Sequence, residues 1–175
     1  MTRRMPFTTL RLLVVLGLLA GCASSGELKS TTAMTTHLGT YQTLLLEVSS
    51  GVPDSAQETT QLETLTVTQL RSKGVFQKVI AGSAASGDTP TDIRLRAKIT
   101  ELTKVGSTSR IMLGALAGRG KVVVASELVD ARSGQSLGSF IAEGQSSGGS
   151  AFAGTTEQAI ERAAEQIVEF VVRNR

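Results

Sequence analysis

Apolar positions along this chain fall into blocks whose spacing changes, and each change marks an element. The clearest block is DIRLRAKIT, residues 92–100, in which Ile93, Leu95, Ala97 and Ile99 alternate with Arg94, Arg96, Lys98 and Thr100. A period of two puts the first set on a packed face and the second on a wet face or one turned to a partner, so the block predicts a half-buried strand. TYQTLLLEV, residues 40–48, is short, apolar and bounded by SSG, and predicts a buried strand. VFQKVI, residues 75–80, predicts a shorter one before the loose loop AGSAASGDTPT. KVVVASELVDARSGQSLGSFIAEGQ, residues 121–145, predicts two strands about the turn DARSGQ. There Gly134 takes a positive φ cheaply and Asp130 caps the turn.

Two blocks change to helical spacing. PDSAQETTQLETLTVTQLRSKG, residues 53–74, opens with Ser55 and Glu58 in capping-box register. It carries Ala56, Leu62, Leu65 and Leu70 and closes on Arg71, Lys73 and Gly74. The last block pairs Thr155 with Gln158 as caps and spaces Ile160, Ala163, Ala164, Ile167 and Val171 for one buried stripe. Arg173 and Arg175 suit the negative end of that helix. The order β-α-β-β-β-β-α predicts an α+β two-layer sandwich: a mainly antiparallel sheet of about five strands, with two helices on one face.

Ahead of this domain, ASSGELKSTTAMTTHLG, residues 23–39, is polar and aperiodic. It predicts a flexible tether spanning on the order of 20 Å, with the domain occupying residues 40–175. Ahead of that, residues 12–20 are a nine-residue apolar run behind Arg3, Arg4 and Arg11, and no acidic residue occurs before Glu27. Nine residues suit a secretory signal core and fall far short of the roughly 20 a membrane-spanning helix needs. The signal occupies residues 1–21.

The chain's only cysteine stands directly after that run, in Leu19-Ala20-Gly21-Cys22. This ending resembles the lipobox of bacterial lipoproteins, which implies cleavage before Cys22 and acylation of its thiol. A single acyl chain binds membranes only marginally, and two or three make a stable anchor. Ala23 and Ser24 follow, with no aspartate; by resemblance to enterobacterial sorting this implies the outer membrane, periplasmic face. With Cys22 acylated, no disulfide can form within the chain.

Charge changes meaning once the signal is set aside. Three of the eighteen basic residues and none of the fifteen acidic ones precede Cys22, so the remainder balances to zero. The usual electrostatic case for nucleic acid therefore lapses. The aromatics past the signal are Tyr41, Phe76, Phe140, Phe152 and Phe170, too scattered to predict a base-stacking platform.

IMLGALAGRGKVVVASELVDARSGQSLGSF, residues 111–140, resembles the bacterial lipoprotein family catalogued as domain of unknown function 4410. There a Gly-rich stretch leads into a strand ending in a V-D pair, a hairpin and a C-terminal helix. The resemblance extends over roughly residues 40–175 and is sharpest from Gly114 to Gly138. It implies this fold and an envelope location, and it implies no activity.

Candidate chemistry is sparse. GALAGRGKV, residues 114–122, departs from a phosphate-binding P-loop three times: Ala115 stands where the first glycine belongs, Val122 replaces the hydroxyl residue, and a strand follows where a helix is needed. His37 is the only histidine and lies in the tether, so no Ser-His-Asp or Cys-His arrangement is expected in the domain. No zinc-ligand spacing occurs, and no cofactor is expected.

Two features leave alternatives open. The stretch carrying Ile111, Leu113, Gly114, Leu116, Gly118 and Gly120 could pack in the core, dock another protein or enter a membrane. The Arg94, Arg96 and Lys98 row could grip an anionic ligand or simply face solvent. The chain is expected to be a non-enzymatic lipoprotein, anchored through Cys22, that serves an envelope complex by binding a protein partner. The alternatives are a lipid- or glycan-binding module and a subunit of an oligomeric secretion pore, with self-association open.

Overall fold

A computed structural model describes residues 24–85, 89–105, 118–147 and 154–175. The strands are β1 (Ser25–Thr32), β2 (Thr43–Ser50), β3 (Lys78–Ala81), β4 (Ile93–Thr103), β5 (Lys121–Asp130) and β6 (Ser136–Gln145). The described α-helices are α1 (Ala56–Lys73) and α2 (Thr156–Arg173). All six strands form one sheet in the order β1-β6-β5-β4-β2-β3. The predicted α+β sandwich holds, with two refinements. The β1/β6, β6/β5 and β5/β4 pairs are antiparallel. The β4/β2 and β2/β3 pairs are parallel, so the sheet is mixed. The parallel β2/β3 pair follows from α1, which crosses over the sheet between them and returns the chain to its starting end, and the connection from Gly82 to Asp92 does the same for β4.

The second refinement concerns the expected tether. Ser25–Thr32 is a strand, paired with β6 from Ser25 against Gln145 to Thr32 against Ser139. Leu28 is its one partly buried position, so SGELKSTT carries no alternation to reveal it. Its order comes from backbone pairing on an otherwise polar edge. Gly26 fits because a Cβ there would press within 2.7 Å of the Gln166 side chain. Past β1, Leu38 N–H donates to Asn174 O over 2.9 Å, and Leu38 is fully buried.

The alternation read in β4 is the fold's organising feature. Ile93, Leu95, Ala97 and Ile99 are buried beneath the helices with Leu44 and Leu46 of β2, Val122, Val124 and Leu128 of β5, and Phe140 and Ala142 of β6. The helices supply Leu62, Val67 and Leu70 from α1 and Ile160, Ala163, Ala164, Ile167 and Val171 from α2. Burying each large apolar side chain is worth about 1.5–3 kcal/mol. The rings of Phe140 and Phe170 stack at 3.9 Å between centroids, which locks α2 over β6.

Neither expected capping box forms. Ser55 Oγ turns back to donate to Val52 O at 2.6 Å, and Glu58 pairs with Lys104 at 2.8 Å. Thr155 makes no side-chain cap, and Gln158 Oε1 instead accepts from Gly154 N–H at 3.0 Å. The threonines of α1 are accommodated because Thr59, Thr60 and Thr64 donate their hydroxyls to carbonyls four residues back. The stop signals hold: Gly74 sits in the left-handed region at φ 63° and closes α1.

The sheet has two distinct ends. At one, here the base, Ser25, Gln145, Lys121 and Thr103 lie in register across β1, β6, β5 and β4. The N-termini of both helices lie at this end, Thr156 Oγ1 accepting from Val105 N–H at 2.8 Å. At the other end, the crown, stand the β5–β6 turn, Asp92 and the start of β2.

Candidate functional site

The sheet face turned away from the helices is the candidate site. Arg94, Arg96 and Lys98 of β4 lie on it by alternation, with Arg96 opposite Glu47 of β2 and Glu127 of β5, and Lys98 opposite Ser49 and Ala125. Glu47 accepts ion pairs from both arginines, 3.9 Å from Arg94 and 3.5 Å from Arg96. Exposed pairs of this kind contribute about 0–1 kcal/mol and break easily for a better partner. Among the described residues no ion pair reaches Lys98.

These residues border an open groove of about 410 Å³ whose lining includes Thr31, Ser49, Arg96, Lys98, Ala125, Glu127, Ser139 and Ile141. Ala125 and Ile141 give it an apolar floor, and the hydroxyls of Thr31 and Ser139 meet at 2.8 Å on one wall. The groove thus offers two cations, the Glu127 carboxylate, hydroxyls and a short apolar strip. That combination suits binding. The chain's single histidine, His37, is exposed and lies beyond β1 on the way to β2.

The carboxylates at the crown are clamps. Asp130 Oδ1 accepts from Ser133 N–H at 2.8 Å, Ser133 Oγ at 2.9 Å and Arg132 N–H at 3.0 Å, and Oδ2 accepts from Tyr41 OH at 3.0 Å. The Ser133 backbone and hydroxyl first, then Tyr41, hold its pKa down at about 2. Asp92 Oδ2 accepts from Gln42 and Thr43 N–H, both at 2.9 Å, and these two bonds lower its pKa. A general base needs a free lone pair and a pKa near the working pH. Both groups lack that, and both fasten the β2 entry to the rest of the sheet. Asp130 is the turn-capping residue the sequence predicted. Among the described residues no three His, Cys, Asp or Glu side chains are placed to hold a metal ion.

A larger groove of about 580 Å³ runs between α1 and α2, past Gln69, Lys73, Glu165, Val168, Glu169 and Val172. Its rim is ordinary solvated helix surface, with Arg173 already paired to Glu169 one turn away.

The other residues singled out by sequence divide. Cys22 with Leu19, Ala20 and Gly21 lies outside the described residues, as do Ile111, Leu113, Gly114 and Leu116. Gly118 is exposed at φ 78°. Gly120 is buried, which matches the core alternative left open for this stretch at that one position. Its N–H donates to Ser146 Oγ at 2.8 Å, and a Cβ there would come within 2.9 Å of Thr155 O. This glycine is required for packing at the base. One base contact had no signal in the sequence: Arg162 Nε donates to Ser24 Oγ at 2.7 Å across 138 positions.

A family profile described as a domain of unknown function (DUF4410) matches residues 51–150. No curated protein matches the chain. Among solved structures, a PelC dodecamer from Paraburkholderia phytofirmans superposes with a TM-score of 0.55 at 16% identity, covering 82% of this chain and 95% of that one. A second crystal form of PelC gives 0.54 at the same identity, covering 82% and 96%. A Xanthomonas campestris protein assigned to DUF330 gives 0.52 at 14% identity, covering 83% and 93%. At such identities the likeness is one of fold.

Proposed function

The chain belongs to the domain of unknown function 4410 family, and from that premise we propose that it is a non-enzymatic lipoprotein of the bacterial envelope, anchored through Cys22, whose open sheet face binds another envelope component. The observation that carries the binding role is the face itself. Arg96 and Lys98 flank an apolar strip and hydroxyls in a groove of about 410 Å³, while Asp92 and Asp130 at the crown are engaged in structural hydrogen bonds. The anchor rests on the Leu19-Ala20-Gly21-Cys22 ending behind a short apolar run, and the absence of aspartate after Cys22 favours the outer membrane. No described helix is long and apolar enough to cross a membrane.

A protein is the preferred occupant. The groove is within the 300–1,000 Å³ range of ligand sites, yet such sites enclose most of their ligand, and this one lies open along the sheet. A lipid or glycan is the alternative occupant. A second reading, self-assembly, draws support from the dodecameric state of the similarly folded PelC.

Photo-crosslinking in cells tests this, with probes replacing Ser49, Arg96 and Ile141 on the open face and Gln69 on the helical face. One envelope protein captured by the first three and missed by Gln69 supports the proposal. Self-crosslinks alone favour assembly. Lipid or glycan adducts alone favour the ligand module.

A further inference from the structure

The two positions between Cys22 and β1 leave almost no slack. Ser24 is held by Arg162 of α2 at 2.7 Å, and β1 begins at Ser25 in register with Gln145. Gly26 then lies flat against Gln166, also on α2. From the first described residue onward the chain is fastened to the folded domain, through one helix and one strand.

We propose that the base of the sheet lies flush against the lipid bilayer, with the crown pointing away from it. This rests on the Cys22 anchor proposed above. A fully extended chain spans at most about 3.6 Å per residue, so an acylated Cys22 sits within about 11 Å of Ser25. A flexible tether of 17 residues would instead let the domain float and turn at a distance on the order of 20 Å.

The base is built as a stiff platform for this. Val105 is tied to Thr156, and Gly120 exchanges hydrogen bonds with Ser146, its N–H donating to Oγ at 2.8 Å and its carbonyl accepting from Ser146 N–H at 2.9 Å. Lys104 and Lys121, which would otherwise add charge, are paired with Glu58 and with Glu101 and Glu143. Arg119 is exposed beside them, with no ion pair among the described residues, and is suitably placed for lipid phosphate. The crown is far off: the ten residues of β5 span about 33 Å at 3.3 Å each. The open face then stands beside the membrane surface, reachable by a partner seated in the same leaflet.

The test uses the full chain expressed with its own signal and reconstituted into phosphatidylethanolamine/phosphatidylglycerol vesicles. Arg119→Cys and Gln135→Cys variants carry an environment-sensitive fluorophore, quenched by headgroup spin-labelled lipid, and intact mass is recorded on the same samples. The expected result is lipidated protein with severalfold stronger quenching at 119 than at 135. A 15-residue Gly/Ser insertion after Ala23 should bring the two nearly level. Lipidated protein with equal quenching at both sites overturns the flush orientation and leaves the anchor intact. Protein without lipid overturns both.

Discussion

The phenol of Tyr41 donates to Asp130 Oδ2 over 3.0 Å, joining the chain entering β2 to a hairpin 89 positions later. Around this bond the crown is closed by charge-assisted hydrogen bonds to a carboxylate that the native state keeps ionised. Asp130 titrates at about 2 in the fold, against an ordinary value near 3.9. A depressed native pKa contributes stability that is complete above the unfolded value and is lost as pH falls through the folded one. Urea midpoints for the parent and Asp130→Asn should therefore differ most above about pH 4 and converge as pH falls toward 2. Tyr41→Phe should raise the Asp130 pKa, leaving it below the ordinary value because Ser133 still donates. Carbon-detected NMR titration of the side-chain carboxyl measures this.

The stack of Phe140 on Phe170 joins the sheet to α2. Phe140→Ala should cost about 3–5 kcal/mol in chemical denaturation. A double-mutant cycle with Phe170→Ala should show coupling of about 0.5–1.5 kcal/mol.

Two glycines separate close approach from backbone conformation. A Cβ on Gly144 would overlap the Ala159 carbonyl of α2, so Gly144→Ala should destabilise by about 1–3 kcal/mol or more. Gly134 has φ 71° with open space around it, so Gly134→Ala should cost only about 1 kcal/mol. Thermal unfolding of the two variants side by side checks the order.

On the open face the expectation is reversed. Arg96 and Lys98 are exposed, and their one recorded pair contributes about 0–1 kcal/mol. Arg96→Gln with Lys98→Gln should leave unfolding midpoints nearly unchanged while sharply reducing crosslinks from a probe at Ser49. Loss of folding instead would place these residues in the scaffold.

Most of the fold was legible because it rests on local periodicity. The strict alternation of residues 93–99, the V-D turn with Gly134 and the stripe from Ile160 to Val171 all state their elements within one stretch of chain. What escaped depends on partners far away. β1 is polar and gains its order from β6 more than a hundred positions later, and the Arg162 to Ser24 contact spans 138. Capping was misjudged for a related reason: Glu58 has the right spacing for a cap, but Lys104 offers it a charge partner. The Arg94, Arg96 and Lys98 row was visible, whereas the groove beside it needed Thr31, Ser49 and Ile141 from three other strands.

The most direct test of the whole account is mass spectrometry of the N-terminal peptide from protein isolated in the membrane fraction. The account predicts a chain beginning at Cys22 whose thiol carries a diacylglyceryl group. A peptide that runs unbroken from Gly21 into Cys22, or a free thiol at that residue, would contradict it.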